Sequence, residues 1–437
     1  MAVFENLLPV IENATLVQKQ GRVRKVVGPM IEATGPRSSV GETCVIMSQE
    51  TRKHTIAEVV GFRDDQILLI PYAEVSGISP GDTVKKNVHS SVVPAGKQLL
   101  GRVLDGLGRP LDSKGPIHGE KMQPIQNDPP DPLSRSRITE PLLTGIRAID
   151  TCLTCGQGQR VGIFAGSGVG KSVLLGMIAR NTHADVNVIA LIGERGREVR
   201  DFIEKDLGEE GLKRSVVIAV TSDQAPLIRV RGGMMATAIA EYFRDQGQNV
   251  MFMMDSVTRI AMAQREIGLA VGELPASKGY TPSVFSMLPK LLERAGAAAG
   301  GSITGMYTVL VEGDDMADPV ADTTRSILDG HIVLSRKLAM MNQYPAIDVL
   351  QSVSRVMIDV AEPEHQQLAN ELTQVLASYE EAEDLINIGA YVKGSNPRID
   401  RAIALIEPLR EFLRQDIREA DHFEESLQQL TSILNKQ

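Results

Sequence analysis

The sequence predicts an α/β protein: a central parallel sheet with a Gly-rich loop at one strand end, a small β-barrel before it and a helical domain after it. Three observations predict this. Between about residues 160 and 334, apolar strand-like runs alternate with helix-like stretches, the pattern of a parallel sheet covered on both faces. One of those runs, 160–164, opens into Ala165-Gly166-Ser167-Gly168-Val169-Gly170-Lys171-Ser172 and then into a helix-like pattern. On either side the period changes, to short β-type runs before residue 92 and to charged helix after about residue 363.

Residues 1–18 read as one short amphipathic helix, with Phe4, Leu7, Leu8 and Ile11 at helical spacing. Residues 19–92 carry short runs at 23–27, 44–47, 56–60 and 67–70, separated by turn signals such as Ser79-Pro80-Gly81-Asp82. Close spacing of short strands predicts a barrel. A Pro/Gly/Asp-rich connection at 108–141 includes Asp128-Pro129-Pro130-Asp131-Pro132, which cannot be helix. The sheet domain is then expected over 93–345. Its strands are predicted at 160–164, 186–192, 215–220, 249–254, 306–311 and 331–334, and its helices notably at 172–181, 197–205 and 227–245. After Tyr344-Pro345 the β signal fades, and 346–437 is expected to be helical. Two segments there flank an exposed, hinged loop at 389–397, where Gly, Ser, Asn and Pro break the pattern.

A chain of 437 residues supports two or three domains. A formal charge of −9, 4% aromatic residues and no Trp argue against a nucleic-acid surface. No apolar run reaches membrane-spanning length, and the N-terminus lacks a basic segment and a cleavage site, so the chain is expected in the cytoplasm. Cys152 and Cys155 have C-x-x-C spacing without a second pair, which favours packed, reduced thiols over metal or redox work. The seven histidines form no H-x-H or H-E-x-x-H cluster, so no protein-ligated metal is expected from them.

The loop at 165–172 carries the chemistry. Glycines let backbone N–H groups close around phosphate oxygens. Lys171 adds a point charge for the outer phosphates, and Ser172 a hydroxyl for Mg²⁺. Ala165 departs from the strict pattern, which begins with Gly; Gly170, Lys171 and Ser172 retain the reactive part. A dinucleotide fingerprint does not fit, because Lys171 stands where its third Gly belongs. The run 251–255 ends in Asp255, a carboxylate suited to hold Mg²⁺ through water beside Ser172. Glu194, after the run 186–192, could polarise a water, although a solvated charged loop is the commoner meaning of Gly193-Glu194-Arg195-Gly196-Arg197-Glu198.

The run PLLTGIRAIDTCLTCGQGQRVGIFAGSGVGKSVLLGMIA at 141–179 resembles the catalytic subunits of rotary-type ATPases. With GERGREVRDFIEKDLGEEGLKRSVV and DSVTRIAMAQREIGLAVGELPASKGYTPSVF, it is most similar to the flagellar and type III secretion export ATPases, over about residues 20–435. GRVRKVVGPMIEATGP and GAYVKGSNPRIDRAI look more flagellar than injectisome-like. The resemblance implies a RecA/F1-like core, ATP and Mg²⁺ as ligands, and hydrolysis that energises protein export. It implies nucleotide contacts from Gly166, Ser167, Gly168, Val169, Gly170, Lys171, Ser172 and Val173, with Tyr344 and Phe423 as walls for adenine. It makes Lys171 and Glu194 catalytic, places Arg195 near the γ-phosphate, and sets Glu198 with Ser172 and Asp255 near the metal. Arg259 follows Asp255 in the family's position, and Arg355 matches an arginine finger that enters the neighbouring subunit. The implied partners are five further copies in a homohexamer, a central stalk protein facing the 389–397 loop, a regulatory protein on the N-terminal helix, and an export gate with its unfolded substrates and chaperones. The implied place is the inner face of a membrane export apparatus.

Three rivals share parts of this pattern. A rotary ATP synthase subunit would assemble with a non-catalytic homologue. An RNA-translocating ring would need a basic, aromatic face in 21–92, which is absent from the sequence. A non-catalytic nucleotide-binding subunit is disfavoured by Lys171, Glu194 and Asp255 together.

Overall fold

A computed structural model describes residues 19–87, 91–311, 313 and 315–435. The expected helix at 1–18 lies outside the described residues. Contacts divide the chain between Ser91 and Val92, with Ile267–Glu273 grouped with the first unit.

The first unit is a closed barrel of six strands, in the order Gln20–Val27, Met30–Ala33, Gln66–Pro71, His54–Arg63, Thr43–Met47 and Thr83–Asn87. Its pairings are antiparallel. Inward residues such as Val23, Ile31, Cys44, Ile46, Val59, Leu69 and Val84 fill it. Full closure leaves no open sheet edge.

The second unit is built on a nine-stranded sheet. Its path runs Ile347–Ser354, Gly330–Leu334, Arg160–Ala165, Gly301–Leu310, Asn249–Asp255, Val186–Glu194, Ser215–Thr221 and Arg102–Leu104. The six strands from Gly330–Leu334 to Ser215–Thr221 are joined by parallel pairings. Val186–Glu194 is buried along nearly its whole length, as a strand covered on both faces requires. The short strand Gly296–Ala298 pairs antiparallel with Gly301–Leu310.

The two edges correct the sequence reading. Ile347–Ser354 pairs antiparallel with Gly330–Leu334, so the sheet continues past the boundary expected at 345. As an edge strand it alternates buried and accessible residues. Asp348, Gln351, Ser352 and Ser354 therefore interrupt its apolar run and hide it from a periodicity reading. At the other edge, Arg102–Leu104 is too short to carry a pattern.

From Pro363 to Asn435 the chain forms three helices rather than two: Pro363–Asn387, Pro397–Leu413 and Phe423–Leu434. The second break, at 414–422, contains neither Gly nor Pro. The loop at 388–396 is exposed but pinned, because the Asp400 carboxylate accepts from Tyr391 Oη at 3.0 Å and Gly394 N at 2.9 Å. No helix among the described residues is long and apolar enough to cross a membrane.

Candidate functional site

The strand Arg160–Ala165 lies between Gly330–Leu334 and Gly301–Leu310, inside the sheet. Its carboxyl end feeds the loop and the helix Lys171–Asn181. Ligands of parallel sheets collect at that end. Gly168 and Gly170 have φ of 79° and 88°, the left-handed region that disfavours a side chain. A Cβ at Gly170 would also stand 3.5 Å from the Tyr344 ring. Val169 is buried and anchors the loop, while Ser167, Gly168 and Ser172 are exposed. The first N–H groups of the helix have no intrahelical acceptor, so they and the helix dipole favour an anion there.

Two neighbouring strands bring carboxylates to the same end. Asp255 closes Asn249–Asp255, level with Leu191. Glu194 closes Val186–Glu194 after a register shift between Ile192 and Glu194. Gly193, with φ of 77°, makes that shift possible, and a Cβ there would lie 2.8 Å from the Arg259 side chain. A bulge at a strand end re-aims the next side chain, and here it turns Glu194 toward the loop. Lys171 Nζ is ion-paired with Asp255 Oδ1 and lies 3.6 Å from Glu194 Oε1. Thr308 Oγ1 donates to the same Asp255 oxygen at 2.7 Å. The Glu194 carboxyl is pushed up to about 7, first by burial and then by the charge of Asp255; Lys171 pulls the other way, and Glu198 adds to the rise. A carboxylate so tuned can take a proton from water near neutral pH.

Beside the loop is a cleft of about 520 Å³. Gly168, Val173 and Met177 line one side, Tyr344 and Pro345 another, and the segment 414–417 a third. Its form suits a flat apolar group attached to a phosphate chain.

The remaining expected residues divide. Glu198 is half exposed, paired with Arg195 at 3.4 Å and close enough to Glu194 to raise its pKa. The Arg195 side chain is 82% exposed, and its ion pair is with Glu198 rather than with Glu194. The Arg259 stem packs against Gly193, and its Nε is buried without a hydrogen-bond partner among the described residues. Arg355 is exposed and its backbone N–H bonds Asp329 O. Ser354 is level with Gly330, and Gly330 with Val161. At about 3.3 Å per residue, this puts Arg355 more than about 13 Å from the phosphate end of its own sheet.

Phe423 does not line the cleft. Its ring meets His365 edge to face at 5.2 Å, at the start of the last helix. The wall opposite Tyr344 comes instead from Arg414, Gln415, Asp416 and Ile417. Tertiary hydrogen bonds place this segment: Gln415 N donates to Tyr344 O at 2.9 Å and Gln415 Nε2 to Gly145 O at 2.8 Å. No local motif marks it in the sequence, and Thr308 was equally unmarked. Cys152 and Cys155 are buried free thiols in the core of this unit, and burial pushes Cys152 up to about 11.

Known proteins share this architecture along nearly the whole chain. The nucleotide-binding domain of the ATP synthase alpha/beta family matches residues 145–354, its beta-barrel domain residues 23–86, and the T3SS EscN ATPase C-terminal domain residues 361–432. The flagellum-specific ATP synthase of Bacillus subtilis is 55% identical, covering 98% of each chain. The type 3 secretion system ATPase of Xanthomonas euvesicatoria is 51% identical, covering 97% of this chain and 96% of its own. The assembled ATPase EscN of the enteropathogenic E. coli type III secretion system superposes with a TM-score of 0.90 at 45% identity, over 95% of this chain and all of that one. The same ATPase in complex with its central stalk EscO gives a TM-score of 0.87 at 44% identity, with the same coverage.

Proposed function

The chain belongs to the ATP synthase alpha/beta family, in the group of flagellum-specific and type III secretion ATPases, and on that premise we propose that it hydrolyses Mg·ATP as a six-membered ring to drive flagellar-type protein export. One observation carries the chemistry: Lys171, Asp255 and Glu194, from the loop and two strand ends, meet beside a cleft walled by Tyr344. The N–H groups of 166–173 cradle the phosphates, and Lys171 binds their outer oxygens. The residues fit Mg²⁺, since an exposed hydroxyl on Ser172 and the Asp255 carboxylate supply hard oxygen donors at one edge. A magnesium ion held by these two donors would draw its remaining ligands from phosphate and water. When bound, it neutralises charge on the phosphates. Glu194 orients the attacking water and accepts its proton, with Glu198 behind it. Arg195 serves the γ-phosphate after its exposed side chain swings inward.

Arg355 lies too far from its own loop to touch phosphate, which supports a role in the neighbouring subunit's site. The exposed 388–396 loop, with Val392 and Lys393, faces a central stalk in this reading. The assembled relative and its stalk complex support both proposals. Residues 1–18 would receive a regulatory protein, and the ring would sit in the cytoplasm against the export gate, taking unfolded substrates and their chaperones. Similarity to flagellum-specific relatives at 55% and 52% supports the flagellar branch. The match of 361–432 to the EscN C-terminal domain favours export over ATP synthesis.

Replacing Lys171 with Ala tests the site. ATP binding is expected to weaken and hydrolysis to vanish, because a charge-assisted contact to phosphate is lost. Wild-type turnover in this variant refutes the assignment.

A further inference from the structure

The segment that walls the cleft opposite Tyr344 has no regular structure, and 414–418 carries only one buried side chain, Gln415. A wall of this kind needs support from elsewhere. Gln415 supplies part of it through Tyr344 O and Gly145 O, and Arg180 Nη2 donates to Ile417 O at 2.6 Å. Both flanks of the wall are held by one side chain on the short helix Arg147–Cys152, which does not line the cleft.

Arg147 is 12% exposed, and its donors are aimed at the C-terminal break. Its Nη1 donates to Phe412 O at 3.0 Å and to Arg414 O at 3.1 Å. Its Nε donates to Asp421 Oδ1 at 3.0 Å, and its Nη2 is paired with Glu419. Its backbone N–H donates to Gln415 Oε1 at 2.9 Å. The guanidinium also lies 5.7 Å from the Phe412 ring centroid. One planar fork therefore holds the end of Pro397–Leu413 and the approach to Phe423–Leu434, bracketing the wall from both sides. Lysine could not reproduce this, since a point charge cannot serve divergent carbonyls and a carboxylate at fixed angles. Asp421 is 1% exposed, and Arg147 is the one cation paired with it among the described residues.

We propose that Arg147 is the positioning residue for the base half of the nucleotide site: it fixes the 414–417 wall against Tyr344 and so sets affinity for the nucleobase, without touching the nucleotide. This rests on reading the cleft as the nucleotide site. The phosphate half is built from another part of the chain, the loop at 165–172 and the strand ends, so the two halves are separable. Loss of Arg147 frees the wall while leaving Lys171, Glu194 and Asp255 in place.

The test compares ATP with inorganic tripolyphosphate, which has the phosphates and no base. Dissociation constants are measured on the full chain by calorimetry, with Mg²⁺, for wild type, Arg147→Gln, Arg147→Lys, Glu419→Gln and Ile417→Ala. Arg147→Gln is expected to weaken ATP about tenfold, equivalent to about 1.4 kcal/mol, and to leave tripolyphosphate within about twofold. Arg147→Lys should fall between, since it restores the charge beside Asp421 but not the fork. Should Arg147→Gln fail to fold, Glu419→Gln, which removes one half-exposed partner, and Ile417→Ala, which trims the wall itself, carry the same comparison with smaller losses. Equal weakening of both ligands, or unchanged ATP affinity in the folded variants, overturns the proposal. Failure of wild type to bind either ligand would instead overturn the nucleotide-site reading.

Discussion

Replacing Glu194 with Gln should stabilise the ligand-free protein and disable the enzyme. The carboxyl has an ordinary pKa of 4.5 and is pushed up to about 7 in the folded chain by burial and by Asp255. Its side chain is 16% exposed, so solvent screens it weakly. At about 1.4 kcal/mol per pH unit, that difference makes the ionised form about 3 kcal/mol more costly in the folded state than in the unfolded one. Below pH 4.5 the group is protonated in both states, and Glu and Gln should be equally stable. Between 4.5 and about 7 the unfolded chain ionises first, so wild type loses stability as pH rises. Above about 7 both states are ionised and the whole cost is present. The amide escapes it, so its advantage should grow from near zero at pH 4.5 to at most about 3 kcal/mol at pH 8. Urea unfolding of both proteins without nucleotide, at steps across that range, reads the advantage directly. The same variant should bind ATP within about threefold of wild type, with kcat reduced by roughly 10²–10⁴, the usual worth of a positioned general base. A stability difference that is flat across pH refutes the burial argument. Turnover near the wild-type value refutes the role of Glu194.

Three further outcomes follow from the placement of other residues. Rings mixed from Lys171→Ala and Arg355→Ala subunits should be more active than either parent, because some interfaces then pair an intact Lys171 with an intact Arg355; mixed rings no better than the parents would refute action in trans. Tyr344→Ala should raise the KM for ATP about tenfold through loss of base stacking, whereas Phe423→Ala should leave it within about twofold; equal effects would restore Phe423 to the site. Reversing charge at Lys393 and Arg398, both exposed, should leave ATPase activity intact without a stalk protein and weaken stalk stimulation most at low salt, the defect shrinking as salt screens the charges. Full stimulation at every ionic strength would show that these charges do not carry the coupling.

The phosphate half of the site was legible because its chemistry is local. Gly168 and Gly170 adopt left-handed angles within the loop itself, and Lys171 and Ser172 follow in the first helical turn. Buried parallel strands announce themselves as unbroken apolar runs, so Arg160–Ala165, Val186–Glu194 and Asn249–Asp255 could be placed, with Asp255 and Glu194 at their ends. These features depend on backbone conformation and burial over a few successive residues, which composition and spacing encode directly.

The base half was not legible, because no local preference creates it. The break at 414–422 has no Gly or Pro, and it is held open by bonds from Arg147 to Phe412 and to Gln415, and from Gln415 to Gly145, each spanning more than 250 residues of sequence. The family resemblance implied Phe423 as a wall residue, but the helix that begins there turns its ring toward His365. Edge strand Ile347–Ser354 was lost for a related reason, since one-sided burial leaves polar residues in the run. The pKa of Glu194 likewise depends on Asp255 and Lys171, which meet it only after three separate segments have packed. Sequence alone thus determined the Gly-rich loop with Lys171 and Ser172, and the strands whose ends carry Asp255 and Glu194. Tertiary structure decided what faces the base, how far Arg355 stands from its own loop, and at what pH Glu194 can accept a proton, because each is set by groups that only the packed chain brings together.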